Sequence, residues 1–232
     1  SYGKDLKDTN LLKILQQVHE IEGIERLRLS SIEPMTINEE FVNTALKLPK
    51  LCPHYHISLQ SGCDRTLKRM NRKYTTAQYK NAVELLRAHI PDVMITTDVM
   101  VGFPGETDEE FEKTYEFVKD IAFYKMHVFK YSPRKGTPAA TFEGQVDSAV
   151  KDARSERLIR LSGECMLSYH KKYVGRELPV LFEQEVKDME GYYEGLAPNY
   201  IRVVAKGNNT LEGNIKTVRI TVAEPDRMIG EI

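Results

Sequence analysis

The stretch Thr97-Asp-Val-Met-Val-Gly-Phe-Pro-Gly-Glu-Thr107 decides how the rest of this chain is read. Val93 to Val101 is apolar except at Thr96, Thr97 and Asp98, the composition of a parallel strand covered on both faces. Gly102, Pro104 and Gly105 then demand a turn. Thr107 stands three residues before Glu110, the spacing of a capping box that opens a helix. Strand, glycine turn and helix N-terminus together bring backbone N–H groups and a strand-end carboxylate to one crevice, where α/β folds hold ligands. An ordinary strand–helix connection carries the same glycines, so the pattern leaves the ligand open.

Outward from this stretch the unit repeats. Upstream, Leu11, Leu12, Leu15 and Val18 share a helical face that Asp8 or Thr9 can cap and Gly23 closes. Leu27 and Leu29 alternate with Arg26 and Arg28 in a short strand that exits into Ser30-Ser31-Ile32-Glu33-Pro34. Thr36 with Glu39 reads as a capping box for a helix stopped at Pro49. His54 to Leu59 is the next strand, leaving through Gln60-Ser61-Gly62; Asp64 can cap a short helix, and Thr75 with Gln78 opens a longer one that runs to Pro91. Downstream, Phe111, Tyr115, Val118 and Ala122 line a helix, and Met126 to Tyr131 forms a strand leaving through Ser132-Pro-Arg-Lys-Gly-Thr137. Four strand–helix units at roughly 30-residue spacing predict a βα barrel whose strands deliver Glu33, Gln60, Asp98 and Tyr131 to one mouth.

Val146 to Tyr173 reads as one long helix. Beyond Gly175 the texture changes to alternation: Leu178, Val180 and Phe182; Tyr200 to Val204; Val218 to Val222. Gly191, Gly195, Gly207, Gly213 and Gly230 are taken as the turns between them, which predicts a small all-β barrel. The boundary falls near 174, giving domains 1–174 and 175–232.

Bulk properties narrow the function. The 232 residues carry a net charge of −1, so nucleic-acid binding must rest on local patches. No apolar run approaches the ~18 residues that cross a bilayer, and no signal-peptide pattern opens the chain, so a cytoplasmic location is expected. Cys52, Cys63 and Cys165 have no CxxC or CxxxCxxC spacing and read as reduced, packed thiols. His54, His56 and His127 alternate on strands without ligand spacing and read as packing histidines.

Arg28-Leu-Ser-Ser-Ile-Glu-Pro34, His56-Ile-Ser-Leu-Gln-Ser-Gly-Cys63, Met70-Asn-Arg72, the opening stretch and Tyr131-Ser-Pro-Arg-Lys-Gly-Thr137 follow one another over about 140 residues. In that order they resemble the radical-SAM tRNA methylthiotransferases. LSSIEP, LPKLCPHYHISLQSGCD and FKYSPRKGTPAA favour the branch that acts on N6-threonylcarbamoyladenosine, the alternatives being the branches that act on isopentenyl-adenosine in tRNA or on a ribosomal protein. The segment from Tyr173-Val-Gly175 through Gly195-Leu-Ala-Pro-Asn-Tyr200 to Gly230 is similar to the TRAM domain, a small RNA-binding β-barrel.

The resemblance implies a C-terminal piece holding strands three to six of a six-stranded partial radical-SAM barrel, with Ser1-Tyr2-Gly3 as the exit of the second. It implies S-adenosylmethionine and two 4Fe-4S clusters in the intact enzyme, with the cluster cysteines on N-terminal segments outside these residues. In that enzyme a 5′-deoxyadenosyl radical abstracts hydrogen from C2 of the modified adenine at tRNA position 37, which is then methylthiolated. Family roles carried over by motif put Ser31, Glu33, Gln60, Val101, Gly102, Tyr131 and Ser132 at the cofactor, with Gly102 allowing close approach to its adenine. Helix entry for Glu33, a satisfied turn for Gln60 and ordinary core for Tyr131 are the structural alternatives.

For tRNA, Arg69 and Arg72, within the basic run Arg65, Lys68, Arg69, Arg72 and Lys73, and Arg134 with Lys135 are candidate phosphate contacts. The same run also fits a solvated helical face. Residues 175 to 232 hold seven Lys or Arg against ten Asp or Glu, so RNA contact there needs a concentrated patch, for which Tyr200, Arg202, Lys206 and Arg219 are candidates. Two other classes fit parts of the pattern: a standalone RNA-binding module, and a sugar- or phosphate-processing barrel using Glu33 and Asp98 as an acid–base pair.

Overall fold

β2, Met94–Val101, is the middle strand of a parallel sheet, as its apolar run requires. β1, His54–His56, pairs with it on one side and β3, Lys125–Lys130, on the other. The computed structural model describes residues 8–187 and 189–232; the strand exit expected at Ser1-Tyr2-Gly3 lies outside them. The chain divides into two compact units, one ending at Leu161 and one spanning Ser162–Ile232. That division falls inside the long helix, α6, Ser148–Lys171, whereas the sequence suggested 174.

In the first unit, α1 is Leu11–His19, α2 Glu39–Ala45, α3 Asp64–Arg69, α4 Thr76–His89 and α5 Asp108–Ile121. Both capping boxes read at Thr75/Gln78 and Thr107/Glu110 form, each with its reciprocal hydrogen bonds. Other ends differ from expectation. Asn10 rather than Asp8 or Thr9 caps α1, and Asn38 rather than Thr36 caps α2, since Thr36 is already inside a 3-10 turn. Asp64 is the first residue of α3 instead of its cap, and its carboxylate accepts the Thr76 N–H at 2.7 Å.

Among the described residues, the segment expected as a strand at Leu27 and Leu29 pairs at two isolated bridges, Leu27 with Leu51 and Ile32 with Ile57. β1 is likewise shorter than expected. Its continuation stays bonded to β2 through Ile57 N–H to Thr96 O, 2.9 Å, and Gln60 N–H to Asp98 O, 2.8 Å.

Strand alternation sorts the sheet into two faces. Tyr55, Ile57, Ile95, Val99, Val101 and Met126 are buried, together with Phe111, Val118, Tyr79 and Leu86 from α5 and α4. His56, Asp98, Met100, His127 and Phe129 occupy the opposite face, and all are at least partly exposed. That polar face ends at the strands' C-terminal mouth.

The second unit contains a closed barrel in the order β4, β5, β6, β8, β7, with β4 at Glu177–Glu185, β5 Tyr192–Leu196, β6 Arg202–Lys206, β7 Ile215–Ala223 and β8 Met228–Glu231. Gly195 and Gly230, taken above as turn residues, lie inside β5 and β8. A Cβ at Gly195 would overlap Leu181 O, and one at Gly230 would meet Val218 and Arg219 O. Closure presses neighbouring backbones together at both points, which only glycine allows.

Candidate cofactor and substrate site

Three grooves run along the mouth of the parallel sheet. One of ≈ 590 Å³ includes Glu33, Asn71, Arg72 and Tyr74; one of ≈ 470 Å³ includes Gln60, Asn71, Arg72, Met100 and Phe103; one of ≈ 440 Å³ includes Met100, Phe129, Tyr131, Ser132 and Arg134. The first two share Asn71 and Arg72, and the last two share Met100, Thr137 and Ala139. The mouth therefore gathers Glu33, Gln60, Tyr131, Ser132, Arg72 and Arg134 of the expected site residues. Ser31 is exposed beside Glu33, and Lys135 is exposed beyond Arg134.

Two of these residues carry marks of a ligand site. Gln60 sits at φ 69°, in the left-handed region, while its backbone N–H and C=O bond Asp98 O and Met100 N on β2. A non-glycine residue held there costs about 1–3 kcal/mol, and such strain clusters at binding sites. Tyr131 is 8 % exposed and its Oη has no hydrogen-bond partner among the described residues. A buried phenol of this kind is normally paired.

Val101 and Gly102 lie behind the mouth and are buried. Gly102 has φ +71°, and a Cβ there would overlap the Lys151 stem from α6. Lys151 Nζ reaches Tyr131 O at 3.2 Å. The close approach that Gly102 permits is thus to Lys151, and its N–H is already given to Glu106 Oε2 at 2.7 Å. Arg154 pairs with that same carboxylate oxygen at 2.7 Å and, through its other nitrogen, with Asp108 at 2.7 Å. Sequence reasoning missed this clamp because its two halves lie far apart in the chain.

Of the basic residues, Arg69 donates both terminal nitrogens to Glu110, whose side chain is fully buried. Those hydrogen bonds hold the Glu110 carboxyl below its ordinary value, against the opposing effect of burial. In the second unit Arg202 pairs with Glu194, which also accepts Gln184 at 2.8 Å. Tyr200, at φ 74°, and Arg202 both present exposed surface.

The histidines do more than fill space. His54 Nε2 and His56 Nδ1 both lie 3.0 Å from Thr96 Oγ1, and His56 Nε2 lies 3.4 Å from Asp98 Oδ2. Burial drives the His54 pKa down to about 3, so that ring is neutral. Asp98 thus faces His56, and it lies on the sheet's inner face while Glu33 belongs to the ≈ 590 Å³ groove.

The free thiols Cys52 and Cys63 are buried and Cys165 is half-buried, and no grouping of His, Cys, Asp or Glu among the described residues suits a metal ion. These residues do not fit an iron–sulfur cluster. The strained Gln60, the unpartnered Tyr131 hydroxyl and the connected grooves do fit an organic ligand the size of a nucleoside.

A parallel sheet whose polar strand exits gather at one mouth is an α/β arrangement of the kind that holds ligands at its strand ends. Residues 1–118 match the family model described as "Radical SAM superfamily", and the chain belongs to that superfamily. It is 42 % identical over 225 residues to "Threonylcarbamoyladenosine tRNA methylthiotransferase MtaB" of Bacillus subtilis (strain 168), covering 96 % of this chain and 50 % of the relative. It is 38 % identical over 233 residues to "tRNA-2-methylthio-N(6)-dimethylallyladenosine synthase" of Moorella thermoacetica (strain ATCC 39073 / JCM 9320), covering 100 % and 52 %. The chain spans about half the length of these curated relatives. Among solved structures, the Escherichia coli coproporphyrinogen III oxidase (HemN), titled a Radical SAM enzyme, shares the fold at TM-score 0.54 and 12 % identity, over 81 % of this chain and 50 % of that one. Among the described residues no helix is long and apolar enough to cross a membrane.

Proposed function

We propose that this chain is the C-terminal part of a radical-SAM tRNA methylthiotransferase that modifies C2 of N6-threonylcarbamoyladenosine at position 37. Residues 1–174 then belong to the catalytic barrel and 175–232 form a TRAM-type RNA-binding barrel. The observation that carries this reading is the mouth itself, where strained Gln60 and the unpartnered Tyr131 hydroxyl open on grooves joined at Met100. Glu33, Gln60, Tyr131 and Ser132 would hold S-adenosylmethionine, with Ser31 beside Glu33 and the Val101–Gly102 main chain supporting the site from behind. When bound, S-adenosylmethionine supplies the methyl group and, with a reduced cluster, the radical.

This chain's residues orient the ligands and exclude water. The cluster ligands come from segments outside this chain, and the chain alone is inactive. Arg72, Arg134 and Lys135 are the phosphate-facing candidates at the mouth, while Arg69 is engaged by Glu110. Both relatives quoted above act on N6-substituted adenosines by name. The higher identity to the first favours the threonylcarbamoyl substrate.

The test is anaerobic methylthiolation by the longer, cluster-reconstituted protein with tRNA bearing either modification. Product on threonylcarbamoyladenosine is expected. Product found only on isopentenyl-adenosine would overturn the substrate, and product on neither tRNA would overturn the activity.

A further inference from the structure

The inner face of the sheet holds polar groups that the cofactor reading does not use. Phe129 and Met100 are register partners on β3 and β2, and one alternation earlier Asp98 and His127 are partners on the same face. Phe129 is 51 % exposed, unusual for a phenylalanine on an inner sheet face, and with Met100 it lines the ≈ 440 Å³ groove. The Asp98 side chain is 28 % exposed. Its Oδ2 faces His56 Nε2, and Oδ1 takes no hydrogen bond from any described residue.

The neighbouring groups fix how Asp98 is presented. Asp98 Oδ2 lies 3.4 Å from His56 Nε2, a contact that suits the tautomer with its proton on Nε2 and Nδ1 as the acceptor. Thr96 then donates its single hydroxyl proton to His56 Nδ1 and accepts from His54 Nε2. The row His54, Thr96 and His56 thus runs toward Asp98 Oδ2, 3.4 Å from His56 Nε2, and Oδ1 is left open to a donor on a ligand as far as the described residues go. An exposed aromatic face beside an aimed acceptor suits a flat heterocycle that carries an N–H.

We infer that Phe129 and Asp98 recognise the base being modified: an N6-monosubstituted adenine stacks on Phe129 and gives its remaining N6–H to Asp98. The inference rests on the tRNA reading above and adds the part of the site that reads the base. Asp98 and Phe129 are specificity residues in this scheme, and His56 is a positioning residue acting through Asp98.

The test is anisotropy of a labelled anticodon stem-loop with the 232-residue chain at low salt. The loop carries an N6-monosubstituted adenine, an N6,N6-dimethyladenine or an abasic site at the modified position. The wild type is expected to bind the monosubstituted loop about tenfold tighter than the dimethyl loop, the scale of a hydrogen bond to a charged group. Asp98→Asn should bring that ratio close to one without weakening the abasic complex. Phe129→Leu should weaken both base-bearing loops by about tenfold, as lost stacking does, and keep the ratio. Circular dichroism checks that each variant is folded, and the two substitutions test the site independently. Binding with a ratio that Asp98→Asn leaves unchanged, or with base-bearing loops that Phe129→Leu does not weaken, overturns the inference and leaves the tRNA reading intact. Failure of the wild type to bind any of the three loops removes the tRNA reading, and this inference with it.

Discussion

Arg154 is ion-paired to Glu106 through the same carboxylate oxygen that accepts the Gly102 N–H. Both side chains are buried, at 6 % and 1 % exposure. Burial raises the Glu106 pKa, while the Gly102 N–H and Arg154 oppose that rise. Removing the arginine leaves a buried carboxylate with a single backbone donor. Arg154→Met is therefore expected to cost about 3–5 kcal/mol in urea denaturation. Adding Glu106→Gln keeps an acceptor for Gly102 and removes the unpaired charge, so the double variant should regain part of the loss. Equal losses in the single and double variants would show that charge is not the cause.

Arg69 and Glu110 give the opposite pH signature. Hydrogen bonds from Arg69 hold the Glu110 carboxyl below 4.5, its ordinary value. A depressed carboxyl contributes stability that is complete above the unfolded-state value and is lost as pH falls through the folded one. Wild-type stability should thus decline on acidification below about pH 4.5, more steeply than that of Arg69→Met. Glu106, with its raised value, contributes in the reverse sense, losing stability as pH rises through its folded value. Because Glu106 is present in both proteins, the difference between their urea stabilities across pH 3–6 isolates the Glu110 pair. Parallel curves would refute the assignment.

Gly102 is constrained twice, by φ +71° and by the Lys151 stem. Gly102→Ala should cost more than the ~1–2 kcal/mol of a left-handed alanine, because the new methyl also overlaps Lys151. Shortening the stem with Lys151→Ala in the same protein removes the overlap together with the Lys151 bond to Tyr131 O, so Lys151→Ala alone is the reference. The double variant should then retain about 1–2 kcal/mol of backbone cost relative to Lys151→Ala. Chemical denaturation of the four proteins separates the two contributions.

What was legible in the sequence was local. The capping boxes at Thr75 and Thr107 and the buried strand through Val99 depend on residues within one turn or one strand, and they formed as read. Asn10 and Asn38 displaced neighbouring candidates because the cap falls to whichever polar side chain meets the first free N–H, which adjacent hydroxyls and carboxylates do not reveal. Gly195 and Gly230 differ from the turns read for them because a strand glycine pressed against its paired neighbour, beside an irregular register, looks like a turn glycine until the strands pair. His56 opposite Asp98, and Lys151 over Gly102, required the strand register and the docking of α6, which no spacing encodes. The strand exits named the mouth, and only the fold showed that Gln60 is strained and the Tyr131 hydroxyl unpartnered.

Gln60 offers the sharpest separation of stability from function. Its left-handed backbone is held by Asp98 O and Met100 N–H, bonds that any residue at this position can make. Glycine adopts that conformation without the steric penalty. Gln60→Gly is therefore expected to leave stability unchanged or raise it by about 1 kcal/mol, an unusual result for truncating a half-buried side chain. The same change removes the side-chain amide from the ≈ 470 Å³ groove. If that amide holds the cofactor, S-adenosylmethionine affinity of the cluster-bearing protein should fall about tenfold in calorimetry, the scale of one lost hydrogen bond. Gln60→Ala, which keeps the strain, should lose the same affinity and more stability. Unchanged affinity in both variants would return Gln60 to a purely structural turn.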